Sequence, residues 1–385
     1  MKIWNAGLAM GLSLMAAPAR AEEATAAIDL GLSYIADGIA VQAGNRSTAY
    51  YLDSLEISAT ADLGRLTNWR GATAYVHLLN NLGGMPNDVA GTLQGVDNIE
   101  VGSQRLRLYQ AWIEQRIGGR TSVKAGLYDL NSEFYANDAA GLLVAPAFGV
   151  GSEIAATGPN GPSLYPSTAL AVRIDQRVGG NGYLRAAILN ASAGTLGDPQ
   201  GVNLSFDDGA LLVGEGGIEG EGKLAVGIWG YTRRQDDVRD LDAAGDPLRR
   251  RARGAYIVAE QPLNDAEGVR AATLFVRAGV SDGRTTPFSG GWQAGLLVEH
   301  VLAVRPHGTF SIGANQAFLS AGYRRNLRDE GSETARAETA FEITYADRLA
   351  PWLTLQPDFQ IVFDAGGNQG ADPVYVAGFR VSVEL

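Results

Sequence analysis

The chain has 385 residues, 42 acidic against 31 basic side chains for a net charge of −11, and no cysteine. The acidic balance excludes a nucleic-acid partner, because duplex binding needs a basic face. The missing thiol excludes a disulfide framework, thiolate metal sites and cysteine catalysis.

The first segment in chain order has the three parts of a secretory leader: Lys2, an apolar stretch from Ala6 to Pro18, and the small-x-small site Ala19-Arg20-Ala21. Residues 1–21 are therefore expected to be removed, leaving one domain over 22–385. The leader is too short for a permanent span, and no later segment reaches about 20 uncharged apolar residues. A mature chain resident in a membrane must then be a closed barrel, because only helices and barrels satisfy every backbone group in lipid. Mean hydropathy near zero suits that form, since barrel strands alternate apolar and polar residues.

Alternation at the strand period of two predicts strands at 26–35, 50–62, 71–79, 105–116, 121–130, 169–176, 183–191 and 209–214, then at 222–233, 252–260, 269–280, 291–301, 309–320, 337–346, 353–364 and 374–385. The last is the clearest: Tyr375, Ala377, Phe379, Val381, Val383 and Leu385 alternate with a mostly polar set. Pro357 interrupts the strand before it, and a bulge or local break is expected there because proline lacks a ladder donor. Sixteen is an even number, as bacterial single-chain barrels require. If the first strand runs outward, short turns at 63–70, 117–120, 177–182, 215–221, 261–268, 302–308 and 347–352 alternate with longer outer loops that include 80–104, 131–168, 192–208, 234–251 and 321–336. A soluble β-sandwich would share the alternation but neither the strand number nor the loop asymmetry. The fold class read here is all-β: a sixteen-stranded antiparallel transmembrane outer-membrane β-barrel with long extracellular loops folding toward the pore.

With the apolar face toward lipid, the lumen receives Glu56, His77, Lys124, Tyr128, Arg173, Asp175, Arg185, Arg277, Glu299, Glu342, Gln360 and Arg380. Acids and bases are mixed, which offers donors and acceptors to neutral polyols at little net field. Strand 105–116 is ambiguous. Trp112 and Glu114 are placed inward, where a ring beside a carboxylate suits a pyranose, although Trp112 would also suit an interfacial aromatic girdle. The longest loops add Asn98, Glu100 and Glu133, and the end of strand 121–130 adds Asp129, to the candidate pore-lining and substrate-binding residues. Asp97, Asn98 and Glu100 do not match a recognised calcium loop, and a solvated acidic surface is expected instead. The prolines and glycines of Gly158-Pro159-Asn160-Gly161-Pro162 point to a folded plug or constriction. No cofactor or metal is called for.

Several motifs are set aside. Gly279-Val280-Ser281-Asp282-Gly283 matches a nucleophile elbow, but no helix follows it. Gly220-Glu221-Gly222-Lys223-Leu224-Ala225 resembles a dinucleotide loop, but it precedes a strand. Among His77, His300 and His307, His77 points into the pore, so no catalytic role is expected. Arg249, Arg250, Arg251 and Arg253 cluster at an outer loop, which suits either lipopolysaccharide phosphates or a solvated charge run. An anion pore should have a lysine-rich constriction, yet the lysines are only Lys2, Lys124 and Lys223.

Longer stretches carry a family resemblance: Leu93-Gln94-Gly95-Val96-Asp97-Asn98-Ile99-Glu100, Leu108-Tyr109-Gln110-Ala111-Trp112-Ile113-Glu114-Gln115, and Ala125-Gly126-Leu127-Tyr128-Asp129-Leu130-Asn131-Ser132-Glu133-Phe134. It continues through Asn137-Asp138, Gly158-Pro159-Asn160-Gly161-Pro162-Ser163 and Arg348-Leu349-Ala350-Pro351-Trp352-Leu353. In these the chain resembles the carbohydrate-selective porins of the OprB family. The resemblance implies a sixteen-stranded outer-membrane porin of a Gram-negative bacterium that passes glucose and related small sugars without energy input. Its surroundings would be outer-membrane lipid and lipopolysaccharide. One departure stands out, because barrels of this kind usually end in an aromatic residue read by the barrel assembly machinery, and here the last residue is Leu385.

Overall fold

The computed structural model describes residues 26–264 and 271–385, so the expected leader lies outside the described residues. The strands are β1 (Ile28–Ala43), β2 (Arg46–Asp62), β3 (Ala72–Gly83), β4 (Leu106–Ile117), β5 (Thr121–Tyr128), β6 (Ala169–Val178), β7 (Gly182–Asn190), β8 (Ala210–Glu219) and β9 (Lys223–Tyr231). They continue with β10 (Gln235–Leu241), β11 (Pro247–Arg250), β12 (Arg253–Pro262), β13 (Ala272–Ser281), β14 (Phe288–Glu299), β15 (Gly308–Leu319), β16 (Ala337–Ala350), β17 (Leu353–Phe363) and β18 (Val374–Glu384). Short helices α1 (Leu63–Thr67), α2 (Asn87–Ala90), α3 (Ser152–Ala155) and α4 (Ala321–Asp329) lie in the connections. None of the described helices is long and apolar enough to cross a membrane, and the crossing is made by strands.

All strands but β10 and β11 form one closed antiparallel barrel, each paired to its sequence neighbours and β1 closing against β18. Closure removes every sheet edge, which is what lipid demands of a strand. Leu385 extends that seam by exchanging backbone hydrogen bonds with Leu32 at 2.9 and 3.2 Å. The outward face is a belt of exposed aliphatics and aromatics such as Leu30, Ile57, Val172, Leu184, Ile228 and Phe379. Trp69 and Trp352 stand at the short-turn end, and Tyr51 and Tyr375 at the other, as interfacial aromatics do.

Each of the sixteen expected strands is present, with instructive differences at the ends. Residues 36–43 and 46–49, read as outer connection, are strand, and the turn is Gly44-Asn45. Polarity here departs from the apolar-out, polar-in pattern, with only Asp37 keeping a charge on the inward side. Ile35, Ile39 and Val41 point inward, buried against Val89, Ala90, Val96 and Ile99 of an inserted loop, while small Ala36, Gly38 and Ala40 face out. An apolar inward face is stable only because the loop covers it. The segment 234–251 is likewise not plain loop, since β10 and β11 form a hairpin tied by Arg249–Asp236 and Arg250–Asp237. At Pro357 the ladder to β16 lapses between the pairs Thr344–Asp358 and Asp347–Leu355, while pairing to β18 is continuous. The break is local, and the register does not shift until Arg348.

Candidate functional site

Strand register builds the site. Glu114 on β4 stands opposite Lys124 on β5, Lys124 opposite Arg173 on β6, and Asp175 on β6 opposite Arg185 on β7. Two of these pairs join opposite charges, but Lys124 and Arg173 are like charges placed side by side, which destabilises a sheet. Glu133, brought in by the loop 129–168, resolves the conflict. Its carboxylate accepts from Lys124 Nζ at 2.8 Å, Arg173 Nε at 2.6 Å, Arg173 Nη2 at 2.7 Å and the Tyr128 hydroxyl at 2.7 Å. Arg173 also donates to Glu114 Oε1 at 3.0 Å and Ser122 Oγ at 2.6 Å, while Arg185 donates to Asp175 Oδ2 at 2.8 Å and to the Glu133 carbonyl at 2.6 Å. Burial alone would raise the Glu133 pKa, but Lys124, Arg173 and Arg185 outweigh it and hold the group at about 2. Three cations and three carboxylates thus form one network without net charge.

Exposure decides which members a solute meets. The side chains of Lys124 and Arg173 are 7% and 3% exposed, those of Glu114 and Glu133 20% and 18%. Lys124 and Arg173 are sheathed while Glu114 and Glu133 reach water, and further along β6 Arg177, 3.9 Å from Asp175, is an exposed cation. Trp112 lies inward beside them, stacked on Tyr75 at 5.0 Å between ring centroids and carrying Lys124 Nζ 4.2 Å from its own centroid. It is therefore not part of the interfacial girdle. The His77 ring sits 5.2 Å from that of Tyr109, with Nε2 3.0 Å from Glu56 Oε2. Asp129 accepts from the Tyr109 hydroxyl at 2.7 Å and the Asn131 amide at 2.9 Å, and burial above all pushes its pKa up to about 6.

Other candidates hold the loops rather than meet a solute. Arg277 is fully buried and donates to the carbonyls of Tyr135 at 3.0 Å, Gly149 at 2.6 Å, Ala147 at 3.3 Å and Phe148 at 2.5 Å. It faces inward as read, yet it grips the loop 129–168 instead of lining open water. Asn98 accepts from Arg380, which is paired with Asp37 at 2.7 Å. Asp97 and Asn98 are buried, so the expected solvated acidic surface does not form, because their loop folds inward against Arg380. Glu100 accepts from the Asn87 amide at 3.2 Å, and burial pushes its pKa up to about 7.

Of the anchors, Arg277, Arg380, Glu342 and Gln360 are read from sequence only as lumen-facing, and Glu215, Glu338 and Gln356 are not among the residues read as lumen-facing. Glu215 takes the Tyr135 amide at 2.9 Å, and Glu338 takes the amides of Leu93 at 2.8 Å and Gln94 at 3.0 Å. Glu342, read only as lumen-facing, takes the amides of Val144 and Ala145. Gln356 donates to the Leu142 carbonyl at 2.7 Å and Gln360 to that of Val96 at 2.9 Å. Residues 84–105 and 129–168 are thus tied across the lumen to β8, β13, β16 and β17. Inward parity on those strands is the available signal, and Glu215 lies one residue beyond the predicted strand 209–214.

A closed sixteen-stranded barrel with a polar lumen narrowed by its own outer loops is an outer-membrane diffusion porin. The profile of the carbohydrate-selective porin, OprB family, matches residues 46–385, and the chain belongs to that family. It is similar to Porin B of Pseudomonas aeruginosa, 23% identical over 92% of this chain and 86% of that protein. In structure it resembles OprB of Pseudomonas putida in its high-pH form, with a TM-score of 0.82, 22% identity, and 93% and 94% of the two chains covered. The outer-membrane channel DcaP of Acinetobacter baumannii shares the fold at a TM-score of 0.53 and 12% identity, over 93% of this chain and 97% of that one.

Proposed function

We propose that this porin passively passes glucose and related small sugars, recognising them at Trp112, Glu114 and the water-facing edge of Glu133. The observation that carries the reading is the sorting of charge by exposure around Glu133: the Glu114 and Glu133 carboxylates are the more exposed, Lys124 and Arg173 stand behind them, and the uncovered edge of the Trp112 indole lies beside them. Hydroxyls donate well to carboxylates, and a pyranose presents C–H groups that pack on a ring. An anion meets carboxylate oxygens at Glu114 and Glu133, which disfavours an anion site there. Each charge-assisted hydrogen bond is worth about 1.5–3 kcal/mol before the desolvation that offsets it. Net binding is weak, as passage requires, since a site must favour entry and still release. Lys124 and Arg173 act as positioning residues that hold the two carboxylates.

Ion current through single channels tests this reading. Glucose titrated onto the wild-type protein should lower the current saturably, and E114A should weaken that block several-fold while salt conductance stays equal or rises. Identical block by glucose in wild type and E114A would remove Glu114 from the sugar path.

A further inference from the structure

The outward face of the barrel carries a feature that sugar passage does not use. Across β6 to β9 the lipid-facing surface is indented by a groove of about 460 Å³, walled by Ile174, Leu184, Val226 and Ile228 and floored by Gly214 and Gly216. Its floor is low because both glycines occupy outward positions of β8, alternating with inward Val213 and Glu215.

At the outer end of this groove the same face turns cationic. Ile228 pairs with Ala255 on β12, and Gly230, one repeat further out, pairs with Arg253. Two residues of strand rise about 7 Å, so the Arg253 backbone stands one step above the groove wall. Gly230 puts no side chain in front of it. Arg251 follows on the same face, because Ala252 between them is buried inward.

Both arginines are exposed, and among the described residues neither side chain forms an ion pair within 4.0 Å. Arg249 and Arg250, their neighbours in sequence, are neutralised by Asp236, Asp237 and Asp240. Asp282, whose amide donates to the Arg253 carbonyl at 3.0 Å, is committed elsewhere: its carboxylate accepts from the amides of Arg284 and Thr285 and from Thr285 Oγ1.

We propose that this groove and Arg251 with Arg253 form a binding site for a phosphorylated, acylated lipid of the outer leaflet, one acyl chain lying in the groove and a phosphate held by the two guanidiniums. The commitment to one occupant rests on charge and position together. An apolar groove within the lipid belt is covered by acyl chains. Two free guanidiniums at its outward end select, among those lipids, the ones with phosphate at that level. A second copy of the chain would have to bury both cations without partners, since the facing surface would be its own apolar belt.

Native mass spectrometry of the full barrel in detergent tests the site. It would be titrated with bisphosphorylated lipid A, with its dephosphorylated form, and with inorganic phosphate, and folding of each variant checked by heat-modifiable migration. The expected result is a retained lipid A adduct on the wild type, weakened about tenfold or more in R251Q/R253Q, since each tenfold is the loss of one modest charge-assisted contact. Filling the groove with G216L should weaken lipid A as well. Dephosphorylated lipid should bind the wild type as weakly as lipid A binds the double variant. Equal lipid A binding by wild type and R251Q/R253Q would overturn the phosphate contact. Phosphate alone binding as tightly as lipid A, or lipid A binding unchanged by G216L, would overturn the groove.

Discussion

Glu133 enters the lumen between two cations that the sheet register places side by side, and its value to the fold depends on its charge. Its folded pKa of about 2 lies below the ordinary glutamate value near 4.3. A depressed carboxylate stabilises the folded state above its unfolded pKa, and that contribution is lost as pH falls from about 4.3 through about 2. E133Q should lower stability at pH 7 by about 3 kcal/mol, the lower end for breaking a buried pair because part of the side chain is wet. The gap between wild type and E133Q, followed as the midpoint of denaturant unfolding, should close as pH drops across that window. A constant gap from pH 7 to pH 2 would mean that Glu133 contributes packing and not charge. The carboxylate itself was legible as a candidate from residue type and loop position. Its three cationic partners were legible only as lumen-facing residues, because which loop atom reaches which wall atom is a tertiary fact.

Among the elements, the long loop 129–168 owes its inward course to the wall opposite it. A Cβ on Gly313 of β15 would lie 2.6 Å from Leu143 Cδ1 and 2.7 Å from Phe148, and one on Gly279 of β13 would lie 2.7 Å from the Tyr135 hydroxyl and closer still to Glu153. The absent side chains leave room for the loop, and Arg277 gathers its carbonyls from the same wall. Gly279 begins the string that matches a nucleophile elbow, and its place here is a close approach. G313V should push Phe148 and Leu143 off the wall, and R277A should leave four carbonyls without their donor. Both variants should raise single-channel conductance and its noise, and deleting the loop should raise conductance further. Conductance unchanged by the deletion would place the loop outside the current path. Length, proline and glycine content made an inserted loop legible in the sequence. The apolar inward face of β1 was not, because a strand covered by a plug has the polarity of a core.

Over the whole molecule, strand number and loop asymmetry could be read from the period of two, since lipid on one side and water on the other impose it on nearly every strand. The reading weakened where protein replaces water inside: at β1, at β8 with its run of glycines, and in the loop that hides the β10–β11 hairpin. Discrimination between solutes of similar size is read by liposome swelling. Liposomes carrying the wild-type protein should swell faster in glucose than in an uncharged amino acid of similar size, and E114A and R173A should bring the two rates together. Equal rates for both solutes in the wild type, unchanged in either variant, would make the lumen a general sieve and contradict the sugar-selective account.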